Sequence, residues 1–567
     1  MSAPDTRPTH ATPADARRAA SLILLRDGAA GLEVLMLRRA EREGDMRSGV
    51  AVFPGGVLDP RDHEAQGRVH GADDATLSAR MGLPAGGLDY AIAAVRETFE
   101  EAGLLLALDG AGQPLSPERV LELAPWRDRL QRNEASATML CADEGLTLDL
   151  SGLAYHSHWL TPPGTPKRFD TRFFITAAPA GQQATPDHGE AVELMWITPA
   201  EALSRERGLK LLTVTEVTLK ELSAFADTAS ALAASRARGA VPCVMPRRAQ
   251  RGGRPTVVLP HELPYAEIGR LDPTGRADAA AELVAGRTVW LSPHVARITA
   301  PNPGPMTGPG TNSYLVGSGS RWVVIDPGPA IDRHVQALIA ALPAASGGRP
   351  VAILATHTHR DHSPAAAPLA AATGAPVWGR LARHPMWQDD SFRPDHAPAD
   401  GERLELGEGV TLHAVHTPGH ASNHVCWWLE QEALLFTGDH LMQGSTVVIN
   451  PPDGDMAAYL QSLRALRQAH DAGTRPLHWL APGHGFLVAE PGAVIDALVA
   501  HRLRREAKVL AALTAAPQPL EALLPRAYDD VPAALHGVAA RSLLAHLLKL
   551  QGDGQAVAAG EAWCRAA

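Results

Sequence analysis

Long apolar runs, paired cysteines and an excess of basic residues are all missing from this sequence of 567 residues. No apolar segment reaches the roughly 18 residues that a membrane-spanning helix needs, so we expect no membrane partner. The four cysteines form no CxxC pair, which argues against a disulfide framework or a zinc ribbon and favours a reducing compartment. The net charge of −10 counts against a dedicated nucleic-acid binder, because such proteins usually carry a basic footprint.

The beginning of the sequence lacks the basic start and apolar stretch of a secretory signal peptide. Residues 1–18 are instead rich in Pro, Thr and Ala, and they predict a disordered tail. The same features, with the cysteine usage, predict a cytoplasmic protein. Nothing in the sequence indicates the oligomeric state.

Residues that carry chemistry cluster near 53–104 and again near 326–484, and a chain of this length predicts several domains. Residues 243–280, between the clusters, are rich in Pro, Gly and Arg with weak periodicity, which is typical of a connector. The predicted boundaries are a domain over 19–235, a connector over 236–290, a domain over 291–490 and a C-terminal domain over 491–567.

Five apolar segments of the second cluster each lead to a histidine or an aspartate. They are RWVVIDPG, VAILATHTHRDH, HAVHTPGH, ALLFTGDH and HWLAPGHG. An apolar, β-branched run predicts a buried strand, and open α/β sheets build their sites at the carboxyl ends of strands. Imidazoles and carboxylates are the ligands of zinc and similar divalent ions. His357 and His359 point to one side of an extended loop, and Asp361 and His362 can turn toward a second position.

The HxHxDH motif and its flanking motifs resemble the metallo-β-lactamase superfamily, and residues 302–317 and 417–424 are similar to its glyoxalase II-like hydrolase branch. The resemblance covers about 290–490 and implies an αββα sandwich with two zinc or other divalent ions. It implies one ion at His357, His359 and His420, a second at Asp361, His362 and His484, Asp439 as the bridge and Asp326 orienting a histidine.

Asp361 is also predicted to be catalytic, and a water activated by the two metals would attack an ester, thioester or phosphodiester. Surface histidines without a ligand are the alternative for any single position. Seven matched positions in five motifs argue against that alternative. His424 and His440 fall outside the ligand pattern, and we interpret them as solvent-facing residues or as neighbours of the ligands.

The C-terminal residues 501–567 predict three helices, a Gly-Asp-Gly turn and a short strand. They resemble a winged helix, an appendage also found in metallo-β-lactamase hydrolases related to a mitochondrial single-strand RNA endonuclease. Single-stranded RNA is therefore an alternative partner, and a packing cap over the active-site face is the other interpretation. This segment has 8 Lys and Arg against 6 Asp and Glu, a net charge of +2. Because phosphate contacts dominate nucleic-acid affinity, so small a charge favours the cap.

In the first cluster, Glu97, Glu100 and Glu101 are spaced i, i+3 and i+4, so they share one face of a predicted helix. Carboxylates packed this closely repel, and a hard divalent cation such as Mg²⁺ or Mn²⁺ would relieve the repulsion. A solvated acidic face is the alternative. The apolar segment VAVFPGGVLD (50–59), which ends in a glycine-rich turn, weakens that alternative.

The segment AVRETFEEAGL (94–104), after this glycine-rich turn, resembles the Nudix box REUxEExGU. The resemblance implies that Arg96 orients the three glutamates, which hold the metal and are catalytic. The pattern departs at Asp62, which stands where the family has Glu, and 33 residues separate it from Arg96. That insertion is similar to the one in coenzyme A diphosphatases of the Nudix family, and the resemblance covers about 19–235. Lys167 and Arg168 are candidate phosphate contacts, with ordinary surface charges as the alternative, and Glu190 and Glu193 are candidates for a general base.

These patterns predict a multidomain protein of α/β and α+β class and a two-headed metal-dependent hydrolase. The Nudix domain would cleave a diphosphate such as coenzyme A or acyl-CoA, and the metallo-β-lactamase domain would hydrolyse an ester or thioester. Both bonds occur in acyl-CoA. The alternatives are a single-stranded RNA endonuclease in the second half and a Nudix half that serves only as a binding module.

Overall fold

The computed structural model describes residues 12–40, 48–187 and 191–566. Of the predicted tail over 1–18, residues 1–11 lie outside the described residues, and the first strand already begins at Ala16. Among the described helices, none is both long enough and apolar enough to cross a membrane.

The first unit is built on a nine-stranded sheet in the described part of the chain, with a three-stranded sheet beside it. The strands up to residue 244 are β1 (Ala16–Gly28), β2 (Gly31–Arg39), β3 (Val50–Val52), β4 (Gly55–Val57), β5 (Val69–His70), β6 (Ala107–Leu108), β7 (Thr147–Asp149), β8 (Ala154–Leu160), β9 (Arg168–Ala177), β10 (Ala191–Ile197), β11 (Lys210–Leu211) and β12 (Cys243–Val244). The helices are α1 (Asp74–Met81), α2 (Gly87–Ala102), α3 (Pro117–Glu122), α4 (Ala124–Gln131), α5 (Ala137–Asp143), α6 (Pro199–Leu203), α7 (Thr213–Leu222) and α8 (Thr228–Ala237).

Strand β1 lies inside the nine-stranded sheet and is covered on both faces, which explains its unbroken apolar run. Leu22 and Leu24 pack in the core that contains α2. Ile23 and Leu25 point to the opposite face and pack in the core that contains α7 and α8. Helix α2 is thereby fixed against the sheet, and its polar edge is the one that carries the predicted glutamates.

Residues 236–290, predicted as a connector, are ordered. Strand β12 extends the first sheet by pairing with β8. A hairpin of β13 (Arg247–Arg251) and β14 (Arg254–Val258) follows, and then helix α9 (Tyr265–Leu271). Both oxygens of Glu267 accept from Arg297 in the second unit, at 2.7 and 2.8 Å, and both side chains are buried. The segment is therefore bonded to the second unit, and weak periodicity alone did not reveal this.

The second unit is a sandwich of two six-stranded sheets, each in sequence order. The first sheet contains β15 (Thr288–Ser292), β16 (Val295–Thr299), β17 (Asn312–Ser318), β18 (Arg321–Ile325), β19 (Ala352–Leu354) and β20 (Val377–Trp378). The second contains β21 (Arg403–Glu405), β22 (Thr411–His416), β23 (Val425–Leu429), β24 (Leu434–Gly438), β25 (Trp479–Pro482) and β26 (Val488–Ala489). The helices are α10 (Asp332–Ala341), α11 (Ala366–Thr373), α12 (Met456–Asp471) and α13 (Pro491–Ala512).

Apolar side chains of both sheets, such as Val323 and Trp427, form one core between them. Helices α10 and α11 cover the outer face of the first sheet. Helices α12 and α13 cover the outer face of the second sheet. This arrangement is the αββα sandwich predicted from the sequence, and the predicted fold is confirmed.

The C-terminal unit contains α14 (Leu520–Ala527), α15 (His536–Gly552) and the strands β27 (Gln518–Pro519), β28 (Ala556–Ala559) and β29 (Ala562–Arg565). Gly554, at φ +72°, makes the predicted turn before the hairpin. Helix α13 belongs to two cores, because Ile495 packs with the sandwich and Val509 with the C-terminal unit. The winged helix is therefore continuous with the sandwich.

Candidate active sites

Five strands of the sandwich bring the predicted ligand residues to one edge. Asp326 follows β18, His357 to His362 follow β19, His420 follows β22, Asp439 follows β24 and His484 follows β25. These strands are largely buried and apolar, although β22 carries the half-buried His413 and His416, and each predicted residue lies in the segment that follows its strand. The sequence rule that strands deliver ligands at their ends therefore holds for all five segments.

The seven predicted ligands form two groups, and within each group the ligand atoms all lie within 4.8 Å of one another. The groups are His357, His359 and His420, and Asp361, His362, Asp439 and His484. Asp439 lies between them. Its Oδ2 is 3.7 Å from Nε2 of His420, and its Oδ1 is 3.4 Å from Nε2 of His362. Asp439 thus occupies the position that the resemblance gave to a bridging carboxylate.

The chemistry of this donor set fits divalent ions. The buried atoms Nε2 of His362, Nε2 of His484 and Oδ1 of Asp439 make no hydrogen bond within the described residues. Nε2 of His362 and Nε2 of His484 each lie 3.4 Å from Oδ1 of Asp439, too far for a good hydrogen bond, and buried polar atoms without such bonds cost free energy. A cation between these atoms would satisfy all three at once.

In three of these histidines the other ring nitrogen, Nδ1, is within hydrogen-bonding distance of an oxygen of the protein. Nδ1 of His362 lies 2.9 Å from Asp326, whose carboxylate also accepts from the backbone and hydroxyl of Thr356. Nδ1 of His420 and Nδ1 of His484 lie 2.8 Å and 3.2 Å from backbone carbonyl oxygens. These bonds fix each ring with Nε2 toward the centre, as outer partners of metal-binding histidines do.

Charge differs between the two groups. Burial lowers the pKa of His359 to about 3 and also lowers that of His357, so both imidazoles are neutral and offer a lone pair. At His484 burial opposes the charged form, but Asp439 and Asp361 outweigh it and raise its pKa to about 9. The carboxylates of the second group therefore favour a positive charge at this position, and a bound cation would replace the proton of His484.

His424 and His440 are fully buried beneath the ligands, so the interpretation of them as solvent-facing residues is wrong. The ring of His424 stacks on that of His357 with centroids 5.1 Å apart. His440 lies between His424 and Tyr459. This inner layer supports the ligand rings from behind, and its residue type alone did not reveal its depth.

In the first unit, the guanidinium of Arg96 links the predicted carboxylates on and beside α2. It donates to Glu97 at 2.9 Å, to Glu100 at 2.8 Å and to Asp62 at 2.8 Å. Glu101 accepts instead from the backbone N–H of Gly55 at 2.9 Å. In the described residues no three of these acids come as close together as the histidine centre does.

The departure at Asp62 does not remove this residue from the box. The inserted residues form a 3-10 helix over Pro60–Arg68, strand β5 and helix α1, and the chain then returns as α2. Asp62 is buried, and both of its carboxylate oxygens accept hydrogen bonds from the guanidinium of Arg96. The insertion therefore extends outward and leaves the geometry of the acidic edge intact.

A cleft of about 810 Å³ opens beside these carboxylates. Burial, reinforced by Glu100 and opposed by Arg96, raises the pKa of Glu97 to about 7. Burial also raises the pKa values of Glu100 and Asp62. A set of acids that resists ionisation without a counter-charge is a fitting site for a hard divalent cation.

Lys167, Arg168 and Glu193, three of the four residues proposed as phosphate contacts or general base, lie away from this cleft. Arg168 pairs with Asp15 at 2.7 Å, and neither Arg168 nor Lys167 lines the cleft. Glu193 pairs with Arg38 on the exposed sheet surface, and Glu190 lies outside the described residues. The cleft is also lined by polar residues of the 3-10 helix, the end of α4 and the loops beside them, which no motif marked. These are Arg61, Gln131, Asn133 and Asp187.

Gly56 provides a direct test of this geometry, because a Cβ there would lie closer than 3.0 Å to the carboxylate of Glu97. We expect Gly56→Ala to displace Glu97 and to lower diphosphate hydrolysis about a hundredfold, as ångström-scale misplacement of a catalytic group does. Gly67→Ala is the matched control, since nothing lies within 4 Å of its added Cβ. Steady-state rates with Mg²⁺ measure the effect, and equal rates for both variants would contradict the placement.

Three family models match the chain in order. They are the NUDT19 Nudix domain at residues 72–210, the metallo-beta-lactamase superfamily at 306–474 and the beta-lactamase associated winged helix domain at 520–563. The lactamase-like protein ptaB of Pestalotiopsis fici is 33% identical over 39% of this chain, and this chain spans 64% of its length. The beta-lactamase-like protein 2 homolog of Caenorhabditis elegans is 30% identical over 39% of this chain and 72% of its own. The chain belongs to the metallo-beta-lactamase superfamily.

The predicted Nudix and winged-helix resemblances are confirmed by the same models, which leave the predicted domain boundaries untested. An atrochrysone carboxyl ACP thioesterase of Aspergillus chevalieri is 34% identical over 39% of this chain and 67% of its own. Among solved structures, a NUDIX hydrolase from Alicyclobacillus acidocaldarius is 30% identical with a TM-score of 0.32, covering 41% of this chain and 100% of its own. Membership of the metallo-beta-lactamase superfamily and the His/Asp cluster support a metal-dependent hydrolase.

Proposed function

We propose that this chain is a metal-dependent hydrolase with two sites, in which the sandwich hydrolyses a thioester and the Nudix cleft cleaves a diphosphate. The observation that carries the proposal is the convergence of seven His and Asp side chains on two positions, with three buried atoms left without hydrogen bonds. The thioester is favoured because curated relatives of the second half bear the name ACP thioesterase. The diphosphate is favoured because the first half matches a Nudix domain.

Two divalent ions, with zinc favoured by the histidine-rich donors, would polarise the thioester carbonyl and acidify a water there. The chain's own residues orient the reaction. Asp326 holds the ring of His362 through Nδ1. Asp361 is the most exposed carboxylate of the centre, with 28% of its side chain accessible, and its Oδ2 is 3.3 Å from Nε2 of His484. We propose that the carboxylate of Asp361 accepts the proton that the attacking water loses.

In the Nudix cleft, Glu97, Glu100 and Glu101 would hold Mg²⁺ or Mn²⁺, which offsets charge on the phosphoryl oxygens. Arg96 keeps Glu97 and Glu100 on one side of the cleft. Without a counter-charge, burial raises the pKa of Glu97 to about 7, and a cation held there would favour its ionised form. Acyl-CoA contains both a thioester and a diphosphate, and we propose it as the substrate that the two halves share.

The test is to incubate the full chain with an acyl-CoA, Zn²⁺ and Mg²⁺ and to identify the products by mass spectrometry. Free coenzyme A with the carboxylic acid is the expected product of the sandwich. Adenosine 3′,5′-bisphosphate with acyl-phosphopantetheine is the expected product of the Nudix half. Intact acyl-CoA would overturn the proposal.

A further inference from the structure

A loop over residues 379–393 lies directly beside the ligand-bearing segment of the metal centre. Gln388 forms a β-bridge with His359, and the backbone N–H of Asp389 donates to the carbonyl of Thr358 at 2.7 Å. Asn423, three residues after His420, donates to the carbonyl of Arg380 at 2.8 Å. The loop is thus anchored beside His359 and near His420, so it borders the first ligand group.

This loop exposes three large apolar side chains within seven residues. Leu381, Met386 and Trp387 have 65%, 53% and 51% of their surface accessible. Such a group costs solvation free energy unless something covers it, and exposed apolar patches mark binding surfaces. Because the loop that carries this patch borders the metal centre, the patch is a candidate surface for substrate.

Cationic side chains border the apolar patch. Arg541 of α15 lies over the ring of Trp387, 5.0 Å from its centroid, so the winged helix reaches the same surface. Arg383 is exposed, and within the described residues its guanidinium makes no hydrogen bond or ion pair. The aspartate Asp389 is occupied by hydrogen bonds from Ser363 and Ser391. We call Leu381, Arg383, Met386, Trp387 and Arg541 the shelf.

We propose that the shelf binds the phosphopantetheine arm of acyl-CoA while its thioester lies at the metal centre. This inference rests on the proposed thioester activity. A thioester placed at the centre leaves an amphipathic arm that ends in phosphates, and the shelf combines exposed apolar side chains with two guanidinium groups. Arginine is the side chain best suited to phosphate, because its fork donates two parallel hydrogen bonds.

Acyl-CoA fits the shelf better than the other two occupants of related chemistry. A carrier-bound thioester would present a phosphopantetheine but no diphosphate, which would leave the Nudix half of this chain without a substrate. Single-stranded RNA needs a run of phosphate contacts, and residues 501–567 have a net charge of only +2. The shelf has only two cations, one over Trp387 and one in the loop that carries the apolar side chains, which suits one anionic group better than a repeating backbone.

Binding is measured by calorimetry of the zinc-loaded full chain, without Mg²⁺ or Mn²⁺, with a thioether analogue of acyl-CoA whose carbon–sulfur bond cannot be hydrolysed. We expect Arg383→Gln and Arg541→Gln each to weaken binding about tenfold, the size of one lost charge-assisted hydrogen bond. We expect Trp387→Ala to weaken it by a similar factor. The controls are Arg333→Gln, an exposed arginine of α10, and Trp290→Ala, a tryptophan with 46% of its surface accessible on β15.

A second measurement separates phosphate contact from general damage to the loop. For acyl-CoA the KM of both arginine variants should rise at unchanged kcat, and it should rise far more than their KM for a short thioester without phosphates. If all three variants bind the thioether analogue as the wild type does, the proposed role of the shelf is wrong even if acyl-CoA is hydrolysed. If the variants weaken only the binding of an acyl-carrier protein, or only the binding of single-stranded RNA, the assignment to acyl-CoA is wrong. Absence of thioester hydrolysis in the wild type, with analogue binding that still depends on the shelf, would overturn only the proposed function.

Discussion

Asp439→Asn is expected to lower kcat for thioester hydrolysis at least about a thousandfold, which corresponds to about 4 kcal/mol of lost transition-state stabilisation. The two oxygens of Asp439 face different ligand groups, Oδ2 toward His420 and Oδ1 toward His362. Asparagine keeps the volume but loses the charge and one oxygen, so it cannot join two cations. Steady-state hydrolysis of acyl-CoA by the zinc-loaded chain measures the loss.

The matched control is Asp496→Asn on α13, whose carboxylate is exposed and pairs with Arg467 at 3.1 Å. An exposed ion pair contributes about 0–1 kcal/mol, so this variant should keep its activity and its metal. Diphosphate cleavage by the Asp439→Asn protein should also stay at the wild-type rate, which shows that the chain is folded. If the rate of thioester hydrolysis by Asp439→Asn is within tenfold of the wild-type rate, the role assigned to Asp439 is wrong.

Glu100→Gln is expected to lower diphosphate cleavage about a hundredfold or more and to leave thioester hydrolysis unchanged. Glu100 is buried and lies 2.8 Å from Arg96 beside Glu97, so the neutral amide removes a charge where a cation would be held. Electrostatic stabilisation of the phosphoryl oxygens by a bound cation makes the largest contribution to the rate of this class of reaction. The loss of one carboxylate weakens the hold on that cation. Release of adenosine 3′,5′-bisphosphate from coenzyme A in Mg²⁺ measures the effect.

Glu122→Gln is the control, because Glu122 is exposed on the surface of the same domain. Its rate should match the wild type. The same pair of variants distinguishes an enzyme from a binding module. If coenzyme A and acyl-CoA bind but neither is cleaved, and Glu100→Gln binds as the wild type does, the Nudix half is a docking domain and the account of its chemistry is wrong.

The sandwich was predictable from sequence because its signals are local. Each ligand follows an apolar strand by a few residues, so a pattern of strand and polar tip locates Asp326, His420 or His484 without knowledge of the pairing. The glutamates of α2 share one face for the same reason, since helix periodicity is fixed by the backbone.

Contacts between distant segments were not predictable in this way. Asp62 returns to Arg96 across an insertion whose path depends on tertiary packing. Glu267 joins the connector to Arg297 through a buried pair that carries no periodic signal. The burial of His424 and His440 depends on how two sheets close over them. These features arise from packing between elements, and a single sequence contains no direct record of it.

The most direct test of the central claim is a crystal structure of the zinc-loaded chain with anomalous scattering at the zinc edge. The account predicts two peaks at the edge of the sandwich. One would lie among His357, His359 and His420, and the other among Asp361, His362 and His484, with Asp439 between them. A single peak with Asp439 turned away, or no peak within this cluster, would contradict the dinuclear centre on which the proposed hydrolase rests.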